Sequence, residues 1–275
     1  MSSYLWQNFL TDLQVLDNIA TQVKELFSST NCETLIEIGP GKGALTTRIQ
    51  DLTPQTLLIE YDEKMITHLK QHKLLSKSTR VVSKDILQRD ANNSQDFPFQ
   101  TPPENTLVVW NLPYYITSPI LRKFFETQKP TRAGGVFLIQ KEAADKIVHN
   151  APKKSFLRWL INYAYKIEHC FDVPPTAFTP PPKVTSTVIR VRPKALDTIP
   201  ELDYTKLIQF LDLYSPYKRK TLGASSKIVA KHQAKNNNPD NIAFDITDYS
   251  SQRLEELWWE EMKKILTNKF FYQKK

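Results

Sequence analysis

Short apolar runs that stop abruptly at polar or turn-forming residues recur through the first half of the chain. Four of them are distinct, at Thr34–Ile38, Thr56–Ile59, Leu107–Trp110 and Val136–Ile139. The stretches between them are amphipathic with helical spacing, at Ala44–Leu52, Lys64–Leu69 and Pro119–Phe125. Apolar runs of this length that alternate with helical patterns are typical of strands in a mostly parallel sheet. This half of the chain therefore predicts an α/β fold with helices on both faces of the sheet.

The pattern changes after residue 183. Val184–Arg192 alternates apolar and polar residues, which is typical of a half-buried antiparallel strand. Pro193 to Pro200 has the composition of a linker. Beyond it the pattern predicts helices without a strand between them, at Tyr204–Tyr214, Lys218–Lys231 and Gln252–Leu266. We therefore expect a large α/β domain over residues 1–194 and a small all-helical domain over residues 195–275.

Glycine is scarce and unevenly placed. The chain of 275 residues has only 6 glycines, whereas average usage of about 7% would give roughly three times as many. Three of the six, Gly39, Gly41 and Gly43, fall within five residues directly after the first predicted strand. Glycine is needed where the backbone bends sharply or passes close to a ligand. This turn is therefore the first candidate binding site.

Cysteine content and hydropathy exclude several classes of protein. The two cysteines, Cys32 and Cys170, are too few for a disulfide scaffold or a Cys-based zinc site, and we expect no bound metal. No apolar run approaches the roughly 18 to 20 residues that a membrane span needs. The first residues also lack the features of a signal or transit peptide. We therefore expect a soluble, cytoplasmic protein without a membrane partner.

Positive charge is concentrated in two segments. The formal net charge is +8, and residues 146–194 alone hold 9 basic and 2 acidic side chains, a difference of +7. A second segment, 213–239, contains no acid at all. Such local excess suits a nucleic-acid phosphate backbone, and a solvated lysine face is the alternative. The predicted RNA contacts are Lys153, Lys154, Arg158, Lys183, Lys218, Arg219 and Lys220.

Aromatic residues are interleaved with the first basic segment, at Phe156, Trp159, Tyr163 and Tyr165. Exposed aromatic side chains among basic residues stack on the bases of single-stranded RNA. Their partly helical spacing allows a second interpretation, in which some of them are core residues.

Acidic residues follow the glycine-rich turn at the ends of the next predicted strands. The turn itself reads Glu37-Ile-Gly39-Pro-Gly41-Lys-Gly43, which lacks both the G-x-G-x-x-G spacing of dinucleotide binders and the ending of a P-loop. Glu60 comes 21 residues after Gly39, where a carboxylate accepts hydrogen bonds from ribose hydroxyls. Asp85 follows Val81-Val82 and is the candidate for an adenine amino group. This order of residues favours an adenosyl cofactor.

The next predicted strand ends in Asn111-Leu112-Pro113-Tyr114. An exocyclic purine amine is a poor nucleophile, because its lone pair is delocalised into the ring. Two acceptors that hold its N–H groups draw the lone pair out of conjugation, and the Asn111 side-chain oxygen and the Leu112 carbonyl, fixed by Pro113, suit this task. Tyr114 would stack on the base. A turn that merely ends a strand at a proline is the alternative interpretation.

Four blocks of sequence together resemble the ribosomal RNA adenine N6-dimethyltransferase family. They are Gln7–Leu10, Glu37–Thr46, Asn111–Tyr114 and Val173–Val184, with a weaker match at Lys218–Leu222. The resemblance implies a Rossmann-like class I methyltransferase domain, with a mostly parallel seven-stranded sheet, and a small helical C-terminal domain that contacts rRNA. It also implies S-adenosylmethionine as methyl donor.

Residue roles follow from the same resemblance. Asn8 and Leu10 would close over the cofactor, and Gly39 and Gly41 would lie under its methionine part. Glu60 would bind the ribose, Asp85 the adenine, and Asn111 both the cofactor and the target amine. Phe178 would stack on the target base opposite Tyr114, or would instead be an apolar anchor for its loop.

The small-subunit branch of the family is the best match. It implies dimethylation of two adjacent adenosines in the 3′-terminal hairpin loop of small-subunit rRNA, on the immature small ribosomal subunit and by a monomer. Two alternatives remain: a large-subunit rRNA methyltransferase that confers antibiotic resistance, and a non-catalytic assembly or transcription factor of the same fold. The chain departs from the family pattern at Trp6, where the family usually has glycine, and over the C-terminal part.

Overall fold

The computed structural model describes most of the chain, in seven stretches: 8–30, 32–87, 105–111, 116–126, 134–148, 156–235 and 243–267. Two compact units divide it. Unit 1 comprises Met1–His149 with Ala164–Lys194, and unit 2 comprises Asn150–Tyr163 with Ala195–Lys275.

A mixed seven-stranded sheet forms the centre of unit 1, with the strand order β4-β3-β2-β5-β6-β9-β7. Its strands are β2 (Thr34–Ile38), β3 (Gln55–Glu60), β4 (Thr79–Ser83), β5 (Thr106–Asn111), β6 (Gly134–Gln140), β7 (Tyr165–Val173) and β9 (Ser186–Pro193). Two further short strands, β1 (Phe9–Leu10) and β8 (Phe178–Thr179), pair with each other outside this sheet.

Strands β4, β3, β2, β5 and β6 are parallel to one another, whereas β9 is antiparallel to both β6 and β7. The predictions of a mostly parallel seven-stranded sheet and of an antiparallel strand near residues 184–192 are confirmed. The chain builds β2, β3 and β4 outward in one direction and then returns to place β5 on the other side of β2. This reversal creates a crevice at the carboxyl ends of β2 and β5, where α/β sheets bind ligands.

The helices of unit 1 separate the strands. They are α1 (Leu13–Ser29), α2 (Thr46–Ile49), α3 (Glu63–Gln71), α4 (Thr117–Glu126) and α5 (Lys141–Ile147). The side chains of Asp12 and Asp62 accept hydrogen bonds from backbone amides in the first turns of α1 and α3, which satisfies donors that have no partner within the helix. The predicted strand at Thr34–Ile38 agrees with β2, and β3, β5 and β6 each extend one or two residues beyond the predicted bounds.

Large aromatic side chains fill the core beneath β5 and β6. The rings of Trp110 and Phe137 are parallel with centroids 3.4 Å apart, and Phe124 of α4 meets both edge-on. These three side chains are completely buried. Because Asn111 directly follows Trp110, this packing fixes the point at which β5 delivers Asn111 to the edge of the sheet.

Unit 2 is helical in its described part, with one isolated β-bridge between Thr221 and Arg253. Its longer helices are α6 (Phe156–Ala164, the last residue of which belongs to unit 1), α7 (Tyr204–Tyr214), α8 (Leu222–Lys235) and α9 (Trp259–Thr267). Helix α7 has the predicted bounds. Helix α8 begins four residues later than predicted, since the Thr221 hydroxyl accepts a hydrogen bond from the Ala224 amide and caps the helix there.

The segment 150–163 groups with unit 2, although residues 1–194 were expected to form one domain. The reason is aromatic packing: the ring of Trp159 meets that of Trp259 edge-on at 4.8 Å, and Tyr163 stacks on Tyr204 at 5.0 Å. Trp159, Tyr163 and Tyr165 are buried, so base stacking is the wrong interpretation for these three residues. Contacts so distant in sequence cannot be read from local periodicity.

Gly134, the first residue of β6, offers a test of the sheet. Its φ is +104°, and a Cβ there would lie 2.0 Å from the Val191 carbonyl oxygen on β9. We expect Gly134→Ala to lower the free energy of unfolding by at least about 3 kcal/mol, because backbone strain and a clash with the neighbouring strand act together. Urea denaturation followed by circular dichroism measures the change.

Asn18→Ala, at an exposed position of α1 in the same unit, is the control and is expected to change stability by less than about 0.5 kcal/mol. Equal denaturation midpoints for the two variants would contradict the strained position of Gly134.

Candidate active site

A cavity of about 630 Å³ opens at the carboxyl ends of β2, β3, β4 and β5. All the residues that line it belong to unit 1. The lining includes every described residue for which the sequence predicted cofactor or target-amine binding: Asn8, Leu10, Gly39, Gly41, Glu60, Asp85 and Asn111. The four strands run in parallel, and their ends therefore bring residues as distant in sequence as Gly39 and Asn111 to one edge of the sheet.

The glycine-rich turn forms one wall of the cavity. Gly39 and Gly41 have φ angles of +67° and +54°, in the left-handed region that side chains with a Cβ rarely adopt. The Gly39 amide donates to the Ile59 carbonyl oxygen at 2.9 Å, which joins the turn to β3. A Cβ on Gly41 would lie 3.2 Å from the ring of Phe9. Glycine is thus required both for the path of the backbone and for the approach of the N-terminal segment.

Glu60 lies at the end of β3 with only 8% of its surface exposed. One carboxylate oxygen, Oε1, accepts hydrogen bonds from the amides of Tyr61 and Asp62 at 2.8 and 2.9 Å. The other, Oε2, accepts from the Gly41 amide at 3.1 Å. A carboxylate has about four acceptor positions, so Oε2 keeps capacity for a ligand hydroxyl. The three amides hold the group in one orientation toward the cavity.

Asp85 and Asn111 are two further polar residues that line the cavity. Asp85 follows β4, and its carboxylate accepts a hydrogen bond from the Leu87 amide at 2.8 Å, which fixes the turn after the strand. Asn111 is the last residue of β5 and is partly exposed to the cavity. Within the described part of the chain, no hydrogen bond occupies its side-chain amide. Both its carbonyl oxygen and its NH₂ group are therefore available to a ligand.

A residue to which the sequence gave no role, Glu37, also lines the cavity. It is the penultimate residue of β2 and is only 3% exposed, and its Oε2 accepts a 2.7 Å hydrogen bond from the Thr46 hydroxyl. Burial raises the pKa of the Glu37 carboxyl to about 7 and the negative charge of Glu60 adds to this effect, while the hydrogen bond from Thr46 opposes it. An acid inside an apolar run, directly before a glycine turn, is the signal that could have identified it.

The N-terminal segment and the proline-rich loop after β7 close one side of the cavity. Strand β1 pairs antiparallel with β8, with Leu10 opposite Phe178 and Phe9 opposite Thr179. Leu10 and Phe178 are both buried, and Phe178 is 3% exposed and packs within the main hydrophobic cluster. This burial favours the interpretation of Phe178 as an apolar anchor, and its stacking on a target base stays a prediction.

Several predicted residues lie outside the described part of the chain. They are Leu112, Pro113 and Tyr114 of the motif after β5, and Lys153 and Lys154 of the first basic segment. Their roles stay predictions.

The remaining predicted RNA contacts differ in exposure. Lys183, Lys218, Arg219 and Lys220 are exposed, as a phosphate contact requires. Arg158 is only 8% exposed, and this burial lowers the pKa of its guanidinium. Arg158 is therefore a poor candidate for RNA contact, because its helix α6 turns it inward together with Trp159.

The cavity fits S-adenosylmethionine on chemical grounds. Its volume lies within the range of small-molecule sites, roughly 300 to 1,000 Å³. The oriented carboxylate of Glu60 suits a ribose diol, and Asp85 suits an amino group. The glycine turn presents backbone without side chains. In the described part of the chain no group of three or more His, Cys, Asp or Glu side chains could hold a metal ion.

Comparison with known protein families identifies the family of this chain. The family model described as Ribosomal RNA adenine dimethylase matches residues 2–254. The chain belongs to this family. Curated members similar to it carry the name Ribosomal RNA small subunit methyltransferase A. One, from Alkaliphilus oremlandii, is 36% identical over 192 residues, which are 69% of this chain and 64% of that relative. Another, from Bacillus mycoides, is 33% identical over 220 residues, which are 79% of this chain and 73% of that relative.

The first of these alignments spans slightly less than two thirds of the relative's own length.

Solved structures support the adenine dimethylase fold over almost the whole chain. A dimethyladenosine transferase from Plasmodium falciparum has a TM-score of 0.68 at 23% identity and covers 94% of this chain and 96% of its own. The 23S rRNA methyltransferase ErmE has a TM-score of 0.59 at 22% identity and covers 94% and 99%. The predicted Rossmann-like class I methyltransferase fold is confirmed.

Glu37 gives this protein a testable pH dependence of its stability. In the unfolded chain the carboxyl ionises near its ordinary pKa of 4.5, whereas the folded protein keeps the proton until about pH 7. The contribution of the Glu37 carboxyl to the free energy of unfolding is therefore fully present below pH 4.5. It falls by about 3 kcal/mol as the pH rises to 7, because only the unfolded chain releases the proton over this range. Glu37→Gln cannot ionise, so we expect its urea unfolding free energy to fall less than that of the wild type between pH 4.5 and 7.

Glu33→Gln, an exposed position just before β2, is the matched control and should keep the wild-type profile. Parallel pH profiles for the wild type and Glu37→Gln would show that the carboxyl is not held protonated by burial.

Proposed function

We propose that this chain transfers methyl groups from S-adenosylmethionine to N6 of two adjacent adenosines in the 3′-terminal hairpin loop of small-subunit rRNA. The names of the similar curated relatives support the choice of the small subunit. The observation that carries the proposal is the position of Asn111. Its side-chain amide, which no residue in the described stretches occupies, lines the same cavity as the oriented carboxylate of Glu60, on the strand beside the glycine-rich turn.

In this proposal the donor is held by the ends of β2, β3 and β4. Glu60 accepts hydrogen bonds from the ribose hydroxyls, and Asp85 accepts one from the adenine amino group. The turn at Gly39 and Gly41 passes beneath the methionine part, and Asn8 and Leu10 cover the cavity from the N-terminal side. When bound, S-adenosylmethionine supplies an electrophilic methyl group on a cationic sulfur.

Asn111 acts on the acceptor. Its side-chain oxygen accepts a hydrogen bond from one N–H of the adenine amine, and the Leu112 carbonyl accepts from the other. Each bond favours a pyramidal nitrogen, whose lone pair is then less delocalised into the ring and more available for attack. The asparagine has no negative charge at any pH, so its contribution is orientation of the amine, and solvent removes the proton afterwards.

Base and RNA contacts complete the model. Pro113 holds the motif rigid, and Tyr114 stacks on the target base. Phe178 forms the wall on the other side of that base or anchors its loop there. Lys183, with Lys153 and Lys154, and the exposed group Lys218–Lys220 contact RNA phosphates.

We further propose that the protein acts without a metal, as a cytoplasmic monomer on the immature small ribosomal subunit. No helix in the described stretches is long and apolar enough to cross a membrane.

Tritiated S-adenosylmethionine tests the substrate directly. Purified protein is incubated with immature small ribosomal subunits lacking the modification and, separately, with large-subunit rRNA, and the labelled base is mapped. We expect label on two adjacent small-subunit adenosines. Asn111→Ala should lower the methyl-transfer rate at least about 100-fold, because the amine loses an oriented acceptor, while S-adenosylhomocysteine affinity falls only modestly.

Asn18→Ala, on the exposed face of α1, is the control and should keep the wild-type rate. Label on large-subunit rRNA alone would establish the resistance-methyltransferase alternative, and the absence of label would favour a non-catalytic role. Unchanged turnover in Asn111→Ala would remove Asn111 from the mechanism.

The salt dependence of RNA binding tests the C-terminal basic group. Each phosphate contact contributes a slope of roughly 0.7 to 0.9 in a plot of log affinity against log salt. We expect the double change Lys218→Ala with Arg219→Ala to weaken binding of a small-subunit rRNA hairpin and to reduce this slope by about 1.5. Fluorescence anisotropy at 50 to 250 mM KCl measures both.

Lys263→Ala with Lys264→Ala removes the same charge from exposed positions of α9 in the same unit. This control should leave the slope near its wild-type value. Equal slopes for the two double variants would exclude a specific contact by Lys218 and Arg219.

A further inference from the structure

The ribbon formed by β1 and β8 joins two segments that lie far apart in sequence. Each strand has only two residues, and a two-stranded ribbon of this size has little stability of its own. The contacts at its ends therefore decide whether the N-terminal segment and the proline-rich loop behave as one body. Both strands also line the cavity.

Hydrogen bonds from side-chain and main-chain amides join the two strands at both ends of the ribbon. At one end the Asn8 side-chain amide donates to the Pro180 carbonyl oxygen at 2.7 Å. At the other, the amides of Thr11 and Asp12 both donate to the Ala177 carbonyl oxygen, at 2.9 and 3.2 Å.

The Thr11 hydroxyl contacts the residues on both sides of Phe178. It lies 3.4 Å from the Ala177 carbonyl oxygen and 3.2 Å from the Thr179 hydroxyl. Phe178 itself is buried opposite Leu10. One exposed hydroxyl group thus holds the loop on either side of its apolar anchor.

The N-terminal segment is also fastened to the glycine-rich turn. The Phe9 ring packs beside Gly41, and the Lys42 ammonium lies 4.9 Å from the centre of the same ring. The Gly41 amide in turn holds Glu60. A continuous chain of contacts therefore runs from the Glu60 carboxylate through Gly41 and Phe9 to the loop around Phe178.

We infer that Thr11 is a positioning residue that couples occupancy of the cofactor cavity to RNA binding at the proline-rich loop. The inference rests on the proposed function. A ligand in the cavity contacts the segment 8–11, and the Thr11 hydroxyl transmits the effect of that contact to the loop that carries Lys183. Coupling between two sites is reciprocal, so RNA must raise the affinity for the cofactor by the same factor.

Because both hydroxyls are exposed, a variant that lacks one can be tested for loss of coupling without a large change in folding stability. Thr11 and Thr179 are both exposed, and an exposed hydrogen bond exchanges readily with water, so its loss costs the fold little. The main-chain bonds from the amides of residues 11 and 12 remain in any side-chain variant. A loss of coupling in a variant with wild-type stability is thus not explained by unfolding.

The test measures affinity for S-adenosylhomocysteine with and without the RNA that the wild-type protein methylates, by isothermal titration calorimetry. The reciprocal measurement, RNA affinity with and without S-adenosylhomocysteine, uses fluorescence anisotropy. In the wild type we expect each ligand to strengthen the other at least about fivefold, within the usual range of coupling. Thr11→Val keeps the shape and the amide but removes the hydroxyl, and it should lower this factor, while the main-chain bonds of residues 11 and 12 retain the remainder.

Three further variants make the result specific. Thr11→Ser retains the hydroxyl and should retain the coupling. Thr11→Val combined with Thr179→Val should lose no more than Thr11→Val alone, because the two hydroxyls act together. Thr21→Val is the matched control, since the exposed Thr21 hydroxyl bonds within α1, to the Asp17 carbonyl oxygen at 2.9 Å. It should keep the wild-type factor.

The outcomes separate this inference from the proposed function. If the wild type methylates rRNA but shows no coupling, or if Thr11→Val keeps it, the role of Thr11 is overturned and the function stands. Loss of coupling in Thr11→Ser as well would also overturn it, because the hydroxyl would not be the cause. If the wild type labels no RNA, the proposed function fails, and the inference that rests on it fails with it.

Discussion

Three backbone amides converge on the carboxylate of Glu60, and the shape of the cavity depends on this contact. Two of them, from Tyr61 and Asp62, belong to the turn after β3, and the third, from Gly41, belongs to the turn after β2. The ends of two neighbouring parallel strands are thereby locked to one charged group. The contact needs a backbone path with positive φ at Gly41, which explains why a chain so poor in glycine places three of its six within this turn.

A second carboxyl, that of Glu37, also lines the cavity but is held by different contacts. Glu60 is oriented by three donors, whereas Glu37 is buried with the Thr46 hydroxyl as its hydrogen-bond donor and has a pKa of about 7. Two carboxylates so close in an apolar wall are costly to ionise together. A ligand that brings positive charge into the cavity would favour the ionised form of Glu37. The cavity is therefore electrostatically suited to a cationic donor such as the one proposed for it.

The ribbon of β1 and β8 gives the cavity a wall made from two distant parts of the chain. Phe9 packs against the glycine turn, and Leu10 faces the buried Phe178. The wall thus contacts both the glycine-rich turn and the proline-rich loop.

In the same unit, Asp172 at the end of β7 accepts hydrogen bonds from Lys141 and Thr187 and lies near the base of that loop. These bonds join the ends of β6, β7 and β9 and hold the pKa of Asp172 low, at about 2.

The sequence by itself determined the alternation of strands and helices, the antiparallel strand near residues 184–192, and five of the residues that line the cavity, namely Gly39, Gly41, Glu60, Asp85 and Asn111. It could do so because apolar periodicity sets local structure, and because parallel strands end at one edge of a sheet. Tertiary packing alone decided the rest. Trp159 and Tyr163 are core residues of unit 2 because Trp259 and Tyr204 cover them, and Arg158 is turned inward by the same helix. Glu37 acquires its raised pKa only when the surrounding strands exclude water. Such properties arise from contacts between residues far apart in sequence, which no local pattern records.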